Sequence, residues 1–556
     1  MFKKDSMPSK PNLFTNYHAV LDESVIKLLD NPDAWYNQFR MRVTDRINEE
    51  LFRPLYCSDN GAPNASIRIQ IAMMILKELQ GWTDIQLFEN CQLHLGARMA
   101  LGLFNVDDPI PGKTTYYNLR RNMVQYESET GEYLLGGIFT SLTESQLLEF
   151  NVSGNRLRID STLIGSNIAW YSRYELIHET LRLALKKTKN ISYNFLPIDD
   201  LEILHQLVAE HGEKVSFRST KNEIETKLTK IGKIIYSIIF HIPSDFSKEM
   251  QTLHTVFYQQ YSVTDGVAIP LPKQVLEASN IQSPHDTDCD YTKKGKTEVK
   301  GYTASTTETC APDNPLKLIT SADIHPASTP DVALLQNAIE KSQKILSDKI
   351  EIIHSDGAFY NPDNTEYCES KEIEHIFSKI GGNESKYNFD LYDDGNLLVT
   401  NKETNETIIA PRANNKAGAP PSWKLVDENN KKRYIKLIEV ESNKIRRAIA
   451  EIPKEVKNIR NNVEATIFHL KHRCSNRKTR YRELIRNRFW LFARCICVNF
   501  VRILKYLKSI NESPDPFTEN IMENHSPNTS FSLFFEKYCV KYQFLLQIMI
   551  LFVCIL

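Results

Sequence analysis

The sequence predicts an α/β protein in which an all-helical N-terminal region precedes a core of strands and helices. Three observations lead to this prediction. The chain has 556 residues, which is too long for one simple hydrophobic core. Apolar side chains recur with a helical period between residues 15 and 130. From residue 155 onwards, the order strand, strand, helix, strand follows, with carboxylates at strand ends.

The N-terminal helices are predicted from their caps and their apolar faces. Ser66 is placed to cap the run SIRIQIAMMILKEL, and Thr83 to cap the next helix. A third helix follows the turn PIPG and carries the adjacent Arg120 and Arg121, which we take as candidate DNA contacts. Short helices joined by tight turns favour a helix-turn-helix-like DNA-binding module. A helical dimerisation or packing domain is the alternative.

The core is predicted from strands that lead to acidic residues. The alternating run RLRI precedes Asp160, which we expect to close the first strand, and KIEIIH leads to Asp356. Between them, Thr329 and Pro330 are typical of a helix start. The remaining predicted strands cover residues 299–309 and 316–322, and KIEIIH itself covers 349–354.

Changes in composition give the expected domain boundaries. We expect a helical DNA-binding domain over residues 1–150, a core over 151–508 and a flexible, polar and apolar tail over 509–556. The core is expected to carry a helical insertion at about 171–280 and a β-rich insertion at about 381–440, whose sequence DDGN indicates a hairpin turn. The final apolar run would reach only about 21 Å as a helix, so no membrane anchor is expected.

Several common sites are excluded by their spacing. The ten cysteines form no CxxC pair, which argues against a zinc ribbon and favours reduced thiols in the cytoplasm. Gly112-Lys113-Thr114 resembles the end of a phosphate-binding loop, but the required first glycine is replaced by Asp107. The acidic run from Asp286 lacks the glycine of a calcium loop.

Three acids could form one metal site. Asp160 and Asp356 follow strand patterns, and Glu464 lies on a predicted helix. Three converging carboxylates could hold two Mg²⁺ ions about 3.5 to 4 Å apart, with Mn²⁺ as a substitute. On a continuous helix, Arg460 and Lys471 would share the face of Glu464, where they could bind a phosphate.

Positive charge is concentrated around Glu464. The whole chain has a net charge of −1, yet residues 453–508 hold 15 Lys and Arg against three Asp and Glu, a local +12. Such density favours a track for the DNA backbone, because a polyanion would neutralise the self-repulsion. The track would consist of Arg473, Arg477, Lys478, Arg480, Arg482, Arg486 and Arg488.

Four sequence blocks, in order, resemble the DDE transposases of bacterial insertion sequences. They are RIDSTLIGSN, SPHDTDCDYTKKGK with VKGY, IIHSDGAFYNPD, and RNNVEATIFHLKHR with TRYRELIRNRFW. The resemblance covers residues 15 to 506 and implies a ribonuclease-H-like core in which Asp160, Asp356 and Glu464 bind the metal. A related signature, Y-x2-R-x3-E-x6-K, matches at Arg460, Glu464 and Lys471, but Lys457 replaces its tyrosine.

The resemblance implies a function on double-stranded DNA. The protein would bind the terminal inverted repeats of its element, cleave a strand with Mg²⁺ and join the freed 3′-hydroxyl to target DNA. It would act as a homo-oligomer on DNA, in the bacterial cytoplasm and associated with the nucleoid. Two alternatives stay open: a nuclease that cuts without joining, and a catalytically silent DNA-binding protein derived from a transposase.

Overall fold

A computed structural model describes residues 1–4, 11–57, 60–379, 384–414, 420–426, 432–472, 474 and 477–511. The chain divides into two units, Met1–Leu504 and Lys505–Leu556. Apart from the end of the last helix, the second unit lies outside the described residues, and so does the predicted apolar run.

The N-terminal region is helical, as predicted. Its helices are α1 (Tyr17–Val20), α2 (Glu23–Leu29), α3 (Trp35–Arg42), α4 (Ile67–Gln80), α5 (Asp84–Leu93), α6 (Leu95–Ala100), α7 (Lys113–Thr130) and α8 (Leu134–Glu149). The predicted caps of α4 and α5 are confirmed. The Ser66 side chain accepts a hydrogen bond from the Ile69 amide, and Thr83 forms a capping box with Gln86.

The core begins with strand β1 and continues into a helical insertion. Strand β1 (Arg156–Gly165) is followed by α9 (Arg173–Lys187), α10 (Ile198–Ala209), α11 (Gly212–Arg218), α12 (Lys221–His241), α13 (Lys248–Gln260), β2 (Tyr261–Thr264) and β3 (Val267–Pro270). Strands β2 and β3 form a hairpin, and the insertion packs around a hydrophobic cluster of its own.

The chain then returns to complete a mixed sheet with β1. Its elements are β4 (Asp290–Lys294), β5 (Thr297–Thr309), β6 (Ile319–Pro326), α14 (Leu335–Gln343), β7 (Ile352–Ser355), α15 (Pro362–Ser370) and β8 (Glu374–Phe377). Strand β5 pairs antiparallel with β1, β4 and β6, whereas β1 pairs parallel with β7, and β7 with β8. The predicted α/β class is therefore confirmed.

Strand β1 does not end at Asp160, in contrast to the prediction. It continues to Gly165, because the long strand β5 offers backbone partners along this whole length, from Thr309 to Gly301. The close approach of the two strands explains Gly301 of the VKGY block. A Cβ atom at this position would lie 2.2 Å from the Ile164 carbonyl oxygen, a distance that side chains do not tolerate.

The predicted helix start at Thr329 is also wrong. A short 3-10 turn, Asp331–Leu334, comes first, and α14 begins at Leu335 without a side-chain cap. Asp331 is drawn into other contacts, since its carboxylate accepts hydrogen bonds from Ser161 and Lys294.

The last part of the core consists of short strands followed by helices. They are β9 (Tyr387–Leu391), β10 (Leu397–Asn401), β11 (Thr407–Ala410), β12 (Ser422–Val426), β13 (Lys432–Lys436), α16 (Leu437–Glu451), α17 (Lys454–Asn461), α18 (Val463–Lys471) and α19 (Leu484–Asn511). The predicted DDGN hairpin turn is confirmed by the antiparallel pairing of β9 with β10.

One hydrophobic core joins the N-terminal helices to the sheet. Helix α4 is buried along nearly its whole length, and its side chains share a cluster with Tyr302 of β5, Ile319 of β6 and Trp490 of α19. Part of α19 is therefore a central element of the protein. No described helix is long and apolar enough to cross a lipid bilayer.

Candidate active site

Two of the three predicted acids meet at the centre of the sheet. Asp160 lies on β1, and Asp356 directly follows β7, the parallel neighbour of β1. Arg460, from α17, bridges them: its Nη2 atom lies 3.1 Å from Asp160 Oδ2 and 3.5 Å from Asp356 Oδ2. One guanidinium group therefore balances two carboxylates, which leaves a surplus of negative charge.

The surroundings of Asp160 raise the pKa of its carboxyl group. Burial is the largest cause, and the like charge of Asp356 adds to it. Arg460 and the backbone N–H of Ser161 act in the opposite direction and lower the pKa. The net increase means that ionised Asp160 lacks enough positive charge nearby.

Glu464 lies apart from the two aspartates in this structure. It belongs to the first turn of α18 and is exposed. The predicted continuous helix is wrong, because α17 ends at Asn461 and α18 begins at Val463, so Arg460 and Glu464 lie on different helices. Among the described residues, no group of three His, Cys, Asp or Glu side chains is arranged to hold a metal ion.

Lys471, at the end of α18, lies within electrostatic reach of Asp160. Burial lowers the pKa of its ammonium group most strongly, and Arg477 lowers it further. Cys474 and Asp160 oppose this decrease. Arg460 and Lys471 thus lie near the carboxylates, although the chain between them is not one helix.

A second charged cluster lies beneath the site, and the sequence patterns did not indicate it. Glu308 on β5 is fully buried and forms ion pairs with Arg158 and Arg502. The Thr466 hydroxyl donates to Glu308 Oε2 at 2.7 Å, and Arg158 donates to the Ile459 carbonyl oxygen at 2.7 Å. A lone acid among the uncharged residues of the predicted strand YTASTTET is the sequence signal that could have indicated this cluster.

The buried cluster fixes the helices that carry the site residues. Arg158 precedes Asp160 by two positions, and it holds the backbone next to Arg460. Thr466 follows Glu464 by two positions on α18. Glu308 therefore connects β1, β5, α18 and α19 at one buried point.

Comparisons with known families identify the chain. A family model described as "Transposase DDE domain" matches residues 265–500. A second, described as "Transposase domain (DUF772)", matches residues 27–122. Together, the two matches indicate a DDE transposase of an insertion sequence. No curated protein and no solved structure matches it.

The two matched ranges include most of the predicted site residues of the transposase. Asp356, Arg460, Glu464 and Lys471 lie within the DDE domain match. Asp160 precedes that match and is connected to it through the pairing of β1 with β5 and β7.

The predicted DNA track, residues 473–488, is called the basic segment below. Several of its members hold other parts of the transposase in place. Arg480 donates to the carbonyl oxygens of Gly81 and Trp82 in the turn between α4 and α5. Lys478 and Arg482 donate to backbone carbonyls near the end of β1. Arg488 is buried and lies over the Tyr133 ring at 4.0 Å.

Other cations of the transposase face solvent. Arg477 and Arg486 are exposed; Arg477 donates to the Thr297 hydroxyl, and Arg486 pairs with Glu483. Arg473 lies outside the described residues.

The adjacent arginines of α7 have different environments. Arg120 pairs with Asp84 at 3.5 Å and lies over the Tyr116 and Tyr481 rings. Arg121 is exposed.

The carboxylates of the transposase suit a divalent metal ion, which DDE transposases generally use. Carboxylate oxygens are the ligands that Mg²⁺ prefers. The raised pKa of Asp160 and the single guanidinium between two acids leave a demand for positive charge. The buried Nε atom of Arg460 has no hydrogen-bond partner among the described residues, so its present position is incompletely satisfied. Asp160 and Asp356 are therefore suited to binding a cation.

Proposed function

We propose that this transposase binds the terminal inverted repeats of its element, cleaves a DNA strand there and joins the freed 3′-hydroxyl to target DNA. The observation that carries the proposal is the pair Asp160 and Asp356, bridged by Arg460, in a chain of this family. An aspartate on β1 and another directly after its parallel neighbour β7 also support a ribonuclease-H-like core.

Asp160, Asp356 and Glu464 would hold two Mg²⁺ ions, with Mn²⁺ as a substitute. When bound, such ions activate a water or 3′-hydroxyl and stabilise the leaving oxygen. Glu464 would complete the set from the first turn of α18, beside the helix break at Asn462. Because the break separates Glu464 from α17, the first turn of α18 could move towards the aspartates while Arg460 keeps its position.

Arg460 and Lys471 would position the scissile or the flanking phosphate. A guanidinium group binds phosphate through two parallel hydrogen bonds, whereas an ammonium group acts as a compact point charge. Both residues lie near Asp160, so a phosphate held by them would lie close to the carboxylates.

Exposed cations would bind the DNA backbone on either side of the site. Arg477 and Arg486 are the described members of the basic segment best placed for this role, because Lys478, Arg480 and Arg482 already donate to backbone carbonyls. Replacing Arg477 and Arg486 with alanine should weaken DNA binding and flatten its salt dependence. An unchanged salt dependence would argue against a phosphate contact.

The chemistry can be tested with DNA that carries the element ends. Plasmid cleavage in Mg²⁺ should be lost in Asp160→Ala, Asp356→Ala and Glu464→Ala, whereas end binding should persist. Glu225→Ala, an exposed acid of α12, is the matched control and should cleave normally. A variant of the three that still cleaves would contradict the metal-site assignment.

Pre-cleaved ends distinguish the transposase from its alternatives. A transposase should join their 3′-hydroxyl to target DNA, whereas a plain nuclease should only cut. A silent DNA-binding protein should bind the ends and do neither.

We further propose that the enzyme acts at the bacterial nucleoid and as a homo-oligomer on DNA. Sizing of the complex with end DNA would test the oligomeric state.

A further inference from the structure

Helix α7 presents a polar, exposed face that the proposed catalytic site does not use. We propose that this face enters the major groove of the inverted repeats and that Asn118 and Arg121 read base edges there. This inference rests on the proposed binding of element ends, and it assigns that binding to one helix.

The exposure pattern divides α7 into two sides. Tyr116, Leu119, Met123 and Glu127 are buried, and at 100° per residue they cluster on one side of the helix. The opposite side is centred on exposed positions, namely Thr114, Asn118, Arg121 and Gln125. These positions are spaced by four, three and four residues, so their side chains form one row along the axis. The row is long enough to follow several base pairs in a groove that admits a helix.

The chemistry of this row suits DNA. Between positions 113 and 125, α7 contains three Lys or Arg residues and no acid. The exposed Glu129 lies one turn further on and accepts a hydrogen bond from the Gln125 amide, which leaves Asn118 and Arg121 as the candidate base contacts. Arginine pairs with guanine, and asparagine or glutamine pairs with adenine, each through two hydrogen bonds in the major groove. Asn118 and Arg121, on one exposed row, can therefore specify base pairs.

The two arginines of α7 have separate tasks. Arg120 is engaged with Asp84 and two tyrosine rings, which fixes α7 against α5 and the basic segment. Arg121 points away from these partners into solvent. The structural arginine thus holds the helix, and its exposed neighbour remains available for DNA.

The neighbouring helices are poorer candidates for base reading. Helix α4 is buried on all sides within the main core. The exposed positions of α5 include Ile85, Glu89 and Leu93 but no Lys or Arg. Of these three helices, only α7 combines exposure, positive charge and base-pairing side chains.

The test is selection from a library of fully randomised DNA duplexes by the full-length chain. Arg121→Ala and Asn118→Ala should each relax the selected sequence at one or two base pairs, with about tenfold to hundredfold loss of discrimination there. Arg218→Ala on α11 removes another exposed arginine and serves as the control, which should select the same sequence as the wild type. Thermal unfolding should be unchanged in all three variants, because each side chain is exposed.

The outcomes separate this inference from the function on which it rests. If the wild type selects a sequence and both α7 variants select it equally well, the reading face is overturned while end binding stands. If the wild type selects no sequence, specific end binding fails, and the inference fails with it. Relaxation in the α7 variants alone supports the assignment.

Discussion

Two charged clusters meet on strand β1, the upper one at Asp160 and the lower one at Arg158, and they differ in both charge balance and burial. In the upper cluster, Asp160 and Asp356 share Arg460, and the side chains are 14%, 34% and 15% exposed. In the lower one, Glu308 is shared by Arg158 and Arg502, and the acid is fully buried. The upper cluster has an excess of acid, the lower an excess of base. Only the upper cluster can therefore accept a further cation.

The same side-chain types therefore serve different purposes in the two clusters. The lower cluster satisfies each oxygen of its carboxylate and holds α18 and α19 against the sheet. The upper cluster contains a carboxyl group with a raised pKa and a guanidinium nitrogen that finds no hydrogen-bond partner within the part of the chain that the structure describes. Polar groups that lack some of their hydrogen-bond or charge partners are typical of a functional site. Polar groups with all of their partners are typical of a structural one.

A substitution in the upper cluster should have the strongest effect on activity and should leave the fold intact. Asp356→Asn should reduce DNA cleavage by more than about a thousandfold if the acid binds metal. The melting temperature should stay the same or rise, since the like-charge repulsion with Asp160 is removed. Plasmid cleavage and thermal unfolding measure the two effects. A clear loss of stability would show that Asp356 is mainly structural.

The converse change breaks the lower cluster. Glu308→Ala leaves two arginines without their acid, so the free energy of unfolding should fall by about 3 to 5 kcal/mol. Denaturant unfolding measures this change. Glu225→Ala, an exposed acid, should stay within about 0.5 kcal/mol of the wild type and is the control. A loss below about 1 kcal/mol would contradict the structural role of the lower cluster.

His354 is buried near Arg156 and near Arg158 of the lower cluster. Burial lowers the pKa of His354 to about 4, and Arg156 and Arg158 contribute. The unfolded chain therefore takes up this proton first as the pH falls below about 6.5, which destabilises the fold. Between pH 7 and pH 5, the free energy of unfolding should therefore fall by about 2 kcal/mol less in His354→Leu than in the wild type.

The His354→Leu change breaks no hydrogen bond among the described residues, because neither ring nitrogen has a partner there. Unfolding of both proteins at the two pH values gives the comparison. An identical loss in the variant would show that other groups cause the acid sensitivity.

The smallest expected effect concerns Arg460 in the upper cluster. Arg460 lowers the pKa of Asp160, so Arg460→Ala should raise that pKa further. The pH midpoint for Mn²⁺ binding should rise accordingly, because only ionised Asp160 binds the metal. Arg460→Lys, which keeps the charge, should leave the midpoint nearly unchanged. A midpoint that falls in Arg460→Ala would indicate that Arg460 mainly competes with the metal.

The sequence predicted individual elements better than their connections. The caps at Ser66 and Thr83 are local signals, and both are confirmed. The end of β1 was misplaced because the partner strand β5 is about 140 residues away in the chain. Helix α18 was merged with α17 because apolar periodicity does not reveal a break of one residue at Asn462.

The family, the α/β class and the acids worth testing could be inferred from the amino-acid sequence, because they depend on residue types and their local order. The tertiary structure decided which charges meet. It brought Asp160, Asp356 and Arg460 together, left Glu464 exposed and buried Glu308 between two arginines. The reason is physical: strand pairing and helix packing join residues that are hundreds of positions apart, and local sequence does not encode those distances.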